Sequence, residues 1–386
     1  MKTDMIYRSV GKTGLSASVI GLGAEHLDNK PYKTVEDVIH ASLDYGINII
    51  DAFMPGDEVR QFIGRALKGR RDKVLIQGHI CSTDINKQYD ISRDRKSIQK
   101  YFEALLQHLK TDYIDFGMLF FIDTEQHFKE VFHGDALPYA LELKKKGHIR
   151  HLGASSHNPI IARKIVESGL VDIIMFSINP AFDMVAPEDY IFDNVDKLMA
   201  GTYKKNLDPH RQDFYKYCEQ QSVAITVMKT LGAAKLLKRE FTPFSQPLTV
   251  AQCIHYALTR PAVVSALLGC SETSHVEEAV SYLNASDEER DYTGVIESFQ
   301  GSMKGSCVYC SHCQPCPSEL DIASIMKYVD IACLDGENVP APLLANYKSL
   351  KLKASECMDC GSCEGKCPFS VPIMENMKKA VKIFSE

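Results

Sequence analysis

Up to about residue 280 the chain alternates short, nearly continuous apolar runs with longer stretches of helical period. The runs are Ala17–Leu22, Ile47–Asp51, Lys73–Gln77, Tyr113–Leu119, His148–Ala154, Asp172–Ser177, Val223–Met228 and Val263–Leu268. Most are rich in Val and Ile and lack apolar/polar alternation, as strands buried on both faces do. Between them, Val35–Tyr45, Ser97–Leu109, Ala136–Lys146, Pro159–Gly169, Arg211–Gln221 and Val250–Thr259 read as amphipathic helices. Gly46, Gly147 and Gly169 stand where helix C-caps are expected. Eight strands, each followed by a helix, predict an α/β fold of the TIM (β/α)8 type. A doubly wound open sheet is the alternative. Tyr7–Ser16, with turns at Gly11 and Gly14, predicts a hairpin over the barrel floor.

After Leu283 the alternation stops. Asn284–Gln300 reads as a helical connector, Asp321–Cys333 and Ile373–Phe384 as helices, and Asn338–Pro342 as a proline-containing loop. The boundary is expected near residue 284, giving a barrel over 1–284 and a small α-helical domain over 285–386.

Composition narrows the function. At 386 residues the chain has room for two domains, and a formal net charge of −6 argues against nucleic acid as a main partner. No apolar run reaches the length of a membrane span. Met1–Val10 is charged and lacks the apolar segment of a secretory signal. A reducing, cytoplasmic location is the expectation.

The second domain carries the sharpest chemistry. Cys307, Cys310, Cys313 and Cys316 read C-x2-C-x2-C-x2-C-P; Cys357, Cys360, Cys363 and Cys367 read C-x2-C-x2-C-x3-C-P. The second is the bacterial run for cubane iron–sulfur clusters, and the first is one residue shorter before its last cysteine. Three thiolates two residues apart can turn around one cubane, while the fourth leaves the loop and reaches the other cluster. One [4Fe–4S] cluster is therefore expected on Cys307, Cys310, Cys313 and Cys367, and the other on Cys357, Cys360, Cys363 and Cys316, in a ferredoxin-like arrangement. Disulfides would need an oxidising compartment. Structural zinc prefers two C-x2-C pairs far apart. Cys81, Cys218, Cys253, Cys270 and Cys333 default to small buried hydrophobes.

Further motifs support a family resemblance. Arg8-Ser9-Val10-Gly11-Lys12-Thr13-Gly14-Leu15, Val19-Ile20-Gly21-Leu22-Gly23, Gly46-Ile47-Asn48-Ile49-Ile50-Asp51, Asp112-Tyr113-Ile114-Asp115 and Gly147 through Ser155 follow in order. Together they resemble the aldo/keto reductases. Val227 to Gly232 resembles strand 7 of the members with a C-terminal two-[4Fe–4S] module. The resemblance implies hydride transfer between NADPH and a carbonyl, assisted by an Asp, Tyr, Lys and His set. Only the aspartate carries over, as Asp51. Met54-Pro55 stands at the tyrosine's place, His79 at the lysine's and Phe120 at the histidine's. Of the nicotinamide determinants, Ser155 and Glu278 match as cofactor-binding positions. Ser156, Met228 and His275 depart from the pattern, and imidazole does not reproduce an arginine fork on a 2′-phosphate. NAD(P)H binding is expected to be weak or absent.

The ends of the expected strands offer Glu25, His26, Asp51, His79, Asp123, His157, Asn179 and Lys229. Asp51 and His79 are candidate partners, with the carboxylate orienting the imidazole as proton donor and Lys229 stabilising an oxyanion. Glu25, His26, Phe120, His157 and Asn179 are candidate substrate contacts. The leading expectation is an iron–sulfur oxidoreductase acting on a small organic molecule, with a ferredoxin or flavodoxin as possible redox partner. Two alternatives stand beside it: an NAD(P)H-dependent carbonyl reductase using His79 as proton donor, and a non-catalytic electron carrier or redox sensor.

Overall fold

The computed structural model describes residues 4–85, 88–184, 207–297, 305, 307–334 and 339–385. The chain separates into two compact units. The first is Met1–Ile178, Val223–Leu231 and Val263–Ala285; the second is Asn179–Ser222, Gly232–Ala262 and Ser286–Glu386. The last change of unit falls at 285/286. The segments Asn179–Ser222 and Gly232–Ala262, expected within the barrel domain, cluster instead with the C-terminal residues.

In the first unit, a hairpin of β1 (Tyr7–Ser9) and β2 (Ser16–Ser18) precedes an eight-stranded closed barrel. The barrel strands are β3 (Ile20–Gly23), β4 (Ile49–Ala52), β5 (Leu75–Ile80), β8 (Ile114–Leu119), β9 (Ile149–Ser156), β10 (Ile173–Ser177), β11 (Ala224–Met228) and β12 (Val263–Gly269). Each pairs in parallel with its neighbours, and β12 closes on β3. Between β5 and β8 lies a small antiparallel hairpin, β6 (Ser82–Ile85) and β7 (Gln88–Ile91).

The apolar runs become strands because both faces are covered: β8 and β10 are buried at every residue. Inside the barrel, Ile49, Phe116, Met118, Ile173, Met175 and Leu267 form one core cluster. Val10 and Ala17 of the hairpin segment join that cluster, as expected of a floor cap. The run Ala17–Leu22 is not one strand. It contains the end of β2 and most of β3, with Val19 between them. Helices follow the strands, and Gly46, Gly147 and Gly169 take positive φ just past helix ends.

In the second unit, helix Ile322–Ala332 packs against helices Pro209–Gln221, Ala341–Ser349 and Ile373–Ile383. The expected connector Asn284–Gln300 is, over its described part, two short helices, Asp287–Arg290 and Thr293–Glu297. The expected loop Asn338–Pro342 opens a helix at Ala341; its first residue lies outside the described residues. No described helix is long and apolar enough to cross a membrane.

Candidate active site

At the C-terminal end of the barrel, β4 and β5 run side by side and pair Asp51 with Gln77. With a period of two, Gln77 and His79 share a face of β5. Asp51 Oδ1 accepts from Gln77 Nε2 at 3.1 Å and lies 2.8 Å from His79 Nε2. Asp51 and His79 are 3 % and 2 % exposed. An ionised carboxylate can only accept, so the His79 proton in this contact sits on Nε2. His79 Nδ1 is then left as the reactive atom, and it is buried without a hydrogen-bond partner. The Gln77 amide oxygen is likewise unpartnered. Phe53 and Phe120 meet the imidazole edge-on, with ring centroids 5.6 and 5.2 Å away.

A second imidazole is held in the same way. His157 Nδ1 lies 2.8 Å from Asp123 Oδ2, and the His157 N–H donates to Asp123 Oδ1 at 2.7 Å. Burial alone would raise the Asp123 carboxyl, but the His157 imidazole and its hydrogen bonds, with Ser156, outweigh that and hold it below the usual value. The Phe121 ring, at φ +57°, packs 5.5 Å from His157 and 5.8 Å from Phe120. Arg93 fixes this turn by donating to the Phe120 and Phe121 carbonyls, each at 2.7 Å. A pair of carboxylate-oriented imidazoles thus flanks a phenylalanine pair.

Lys229 follows β11 in a left-handed conformation (φ +60°), its ammonium 3.9 Å from Glu25. His26 lies against the β12 backbone: a Cβ added at Gly269 would meet its ring at 2.0 Å. Ser155 accepts from the Phe121 N–H at 2.9 Å, so one lone pair already serves the loop. Asn179 is fully buried and its amide oxygen accepts from the Phe182 N–H at 2.9 Å. Glu278 is exposed on helix Thr273–Ser281. Sequence reading missed Gln77, Phe53 and Arg93. Neither Gln77 nor Arg93 was legible locally: Gln77 meets Asp51 only through the register of β4 on β5, and the partners of Arg93 are distant carbonyls.

In the second unit the eight clustered cysteines line two separate cavities. Cys307, Cys310, Cys313 and Cys367 line one of about 330 Å³ with Met326 and Phe369 among its apolar walls. Cys316, Cys357, Cys360 and Cys363 line another of about 350 Å³ with Leu320 and Met377. Each cavity takes three cysteines from one run and one from the other. All thirteen cysteines are free thiols. Burial pushes Cys310 up to about 11 and Cys313 up to about 12, with Cys367 adding repulsion to both. Such thiols become thiolates only where bound cations compensate them. Among the described residues, no three Cys, His, Asp or Glu side chains converge tightly enough to hold a single metal ion. The donor set fits a four-thiolate cluster in each cavity.

A closed parallel barrel with oriented acid–base side chains at its C-terminal end defines an enzyme of the TIM-barrel class. The chain belongs to the aldo/keto reductase family, whose model matches residues 19–248. It is 25% identical over 299 residues to an uncharacterized oxidoreductase, YqkF, from Bacillus subtilis, covering 73% of this chain and 92% of that one. The fold is similar to aldo-keto reductase AKR11C1 from Bacillus halodurans in its holo form, with TM-score 0.59, 21% identity, and 77% and 96% coverage. It is also similar to a Klebsiella pneumoniae aldo/keto reductase in complex with NADP and acetate, with TM-score 0.54, 17% identity, and 78% and 96% coverage. The protein is an oxidoreductase of the aldo/keto reductase kind.

Proposed function

We propose that this family member works as an iron–sulfur oxidoreductase on a small organic molecule in the barrel. The observation that carries the reading is the interleaved lining of the two cavities, four thiols each. When bound, two [4Fe–4S] clusters would take up and release single electrons. Cys307, Cys310, Cys313 and Cys367 would hold one; Cys316, Cys357, Cys360 and Cys363 would hold the other. His79 moves the proton. Asp51 fixes its tautomer through Nε2, so Nδ1 is the atom that gives a proton to, or takes it from, the bound molecule. Phe53 and Phe120 keep water from the ring. Lys229, 3.9 Å from Glu25, would stabilise a developing oxyanion. A low-potential ferredoxin or flavodoxin is the fitting electron donor.

A second reading keeps NADPH as hydride donor with His79 in the tyrosine's role. Family membership favours it.

Anaerobic purification with iron and sulfide analysis tests the first reading. We expect a brown protein with about eight irons and eight sulfides per chain. A colourless protein that takes up no iron on reconstitution overturns it.

A further inference from the structure

Behind the first cysteine cavity, the second unit buries a charged network that proton transfer at His79 does not require. Asp183 accepts from the Tyr215 hydroxyl at 2.6 Å and Arg211 Nη1 at 3.4 Å through one oxygen, and from the Tyr256 hydroxyl at 2.8 Å through the other. Arg260 is also buried, yet no carboxylate lies within ion-pair distance of it among the described residues. Its Nη2 donates to the Thr259 hydroxyl at 3.0 Å, to the Tyr292 hydroxyl at 3.1 Å and to the Val308 carbonyl. Its Nε has no partner. Its guanidinium lies 4.3 Å from the centre of the Tyr256 ring. Tyr292 donates to the same Val308 carbonyl at 3.0 Å.

Two features make this arrangement informative. A buried guanidinium bonded only to neutral groups is costly unless an anion compensates it. Val308 is the residue after Cys307, so the carbonyl that Arg260 grips belongs to the loop carrying Cys307 and Cys310. A small pocket is lined by Arg260, Cys307, Tyr309, Asp183 and Arg211 together. Its other charged walls are Asp208 and Lys216, so three cations there face two carboxylates. Asp330, which accepts from the Tyr309 hydroxyl at 2.7 Å, adds a third carboxyl on the Cys307 side, so what singles out Arg260 is its burial and its grip on the Val308 carbonyl.

We infer that Arg260 is the counter-charge of the cluster proposed for Cys307, Cys310, Cys313 and Cys367, gripping its loop through Val308 and raising its reduction potential. The inference rests on the iron–sulfur reading. Reduction adds one negative charge to a cluster, and a buried cation favours that state with little screening. Around the other cavity the lysines are solvent-facing: Lys378, for example, is 69% exposed and paired with Asp359 at 2.9 Å. Arg260 is therefore a positioning residue that separates the potentials of two otherwise similar groups.

The test is an anaerobic redox titration of the full-length holoprotein, followed by electron paramagnetic resonance. Arg260→Met should lower the midpoint potential of one cluster and leave the other in place. Asp183→Asn removes a neighbouring negative charge and should move that same cluster upward. Shifts common to both clusters, or none in either variant, overturn the inference. If Arg260→Met does not fold, Asp183→Asn decides alone, an upward shift confined to one cluster being required. Wild-type protein without iron sinks the cluster reading itself. Loaded protein whose potentials ignore both substitutions sinks only the role of Arg260.

Discussion

At the scale of single residues, two imidazoles are set by carboxylates, and the two pairs answer to different experiments. His79 offers a buried, unpartnered Nδ1 while Asp51 holds Nε2. A positioned general acid contributes about 10²–10⁴-fold to a rate. His79→Ala should therefore slow viologen-driven reduction of a probe α-dicarbonyl by about 10²-fold or more, with iron content unchanged. Asp51→Asn should cost less if Nε2–H still finds an oxygen, and its pH profile should shift. Unchanged turnover in His79→Ala removes the residue from the mechanism. The Asp123–His157 pair predicts a stability effect. The Asp123 carboxyl, whose burial is outweighed by His157, lies below its unfolded value. Its contribution is therefore fully present above about pH 4, the unfolded carboxylate value, and is lost as pH falls through the lower folded value. Thermal unfolding of Asp123→Asn and wild type from pH 7 to pH 3 should show a gap that narrows only at the acid end. A gap that widens with acid would contradict the assignment.

Elements show which parts of this were legible in the sequence and which were not. The long Val/Ile-rich runs read as strands because parallel strands are buried on both sides, and β8 and β10 bear that pattern throughout. Boundaries failed where apolarity runs past a break. In Ala17–Leu22 the one glycine, Gly21, lies inside β3 and not at the break, where β2 ends at Ser18 and β3 starts at Ile20. The β6–β7 hairpin escaped because its first strand is Ser82-Thr83-Asp84-Ile85, with no strong apolar pattern. Helix Ala341–Ser349 escaped because Pro340 and Pro342 were read as loop residues, whereas proline is well suited to the first helical turn. Asp51 and His79 were legible as strand-end residues; their partner Gln77 needed the register of β4 on β5, which no local pattern reveals. The cysteine spacing, by contrast, encodes a long-range grouping, and that grouping makes a pairwise prediction. Cys307→Ala and Cys367→Ala lie in different runs but line the same cavity, so they should abolish the same spectroscopic signal. Cys316→Ala and Cys357→Ala should abolish the other. If loss instead follows sequence run, with Cys307 and Cys316 affecting one signal together, the interleaved assignment is wrong.

For the whole molecule, the question is which reductant serves a family member in which the resemblance places Met54-Pro55 at the tyrosine's position. The family resemblance is what brings an expectation of NADPH chemistry. The residues of this chain weigh against it. Met228, at the position the resemblance gives to a tyrosine stacking on nicotinamide, ends β11 without an aromatic face. His275, at the position the resemblance gives to an arginine fork on a 2′-phosphate, is exposed, its Nε2 3.6 Å from Glu272. An acidic neighbour repels a phosphate as well as failing to bind it. NADPH added to the oxidised, cluster-loaded protein should therefore give no saturable change in nucleotide fluorescence and should not bleach the cluster absorbance, while dithionite should. His275→Arg sharpens the result. Where a nucleotide site exists, a restored bidentate contact tightens NADPH over NADH by about tenfold; where none exists, it changes nothing. Micromolar, saturable binding by the wild type would return the protein to hydride chemistry, with His79 as the proton donor to the developing alkoxide.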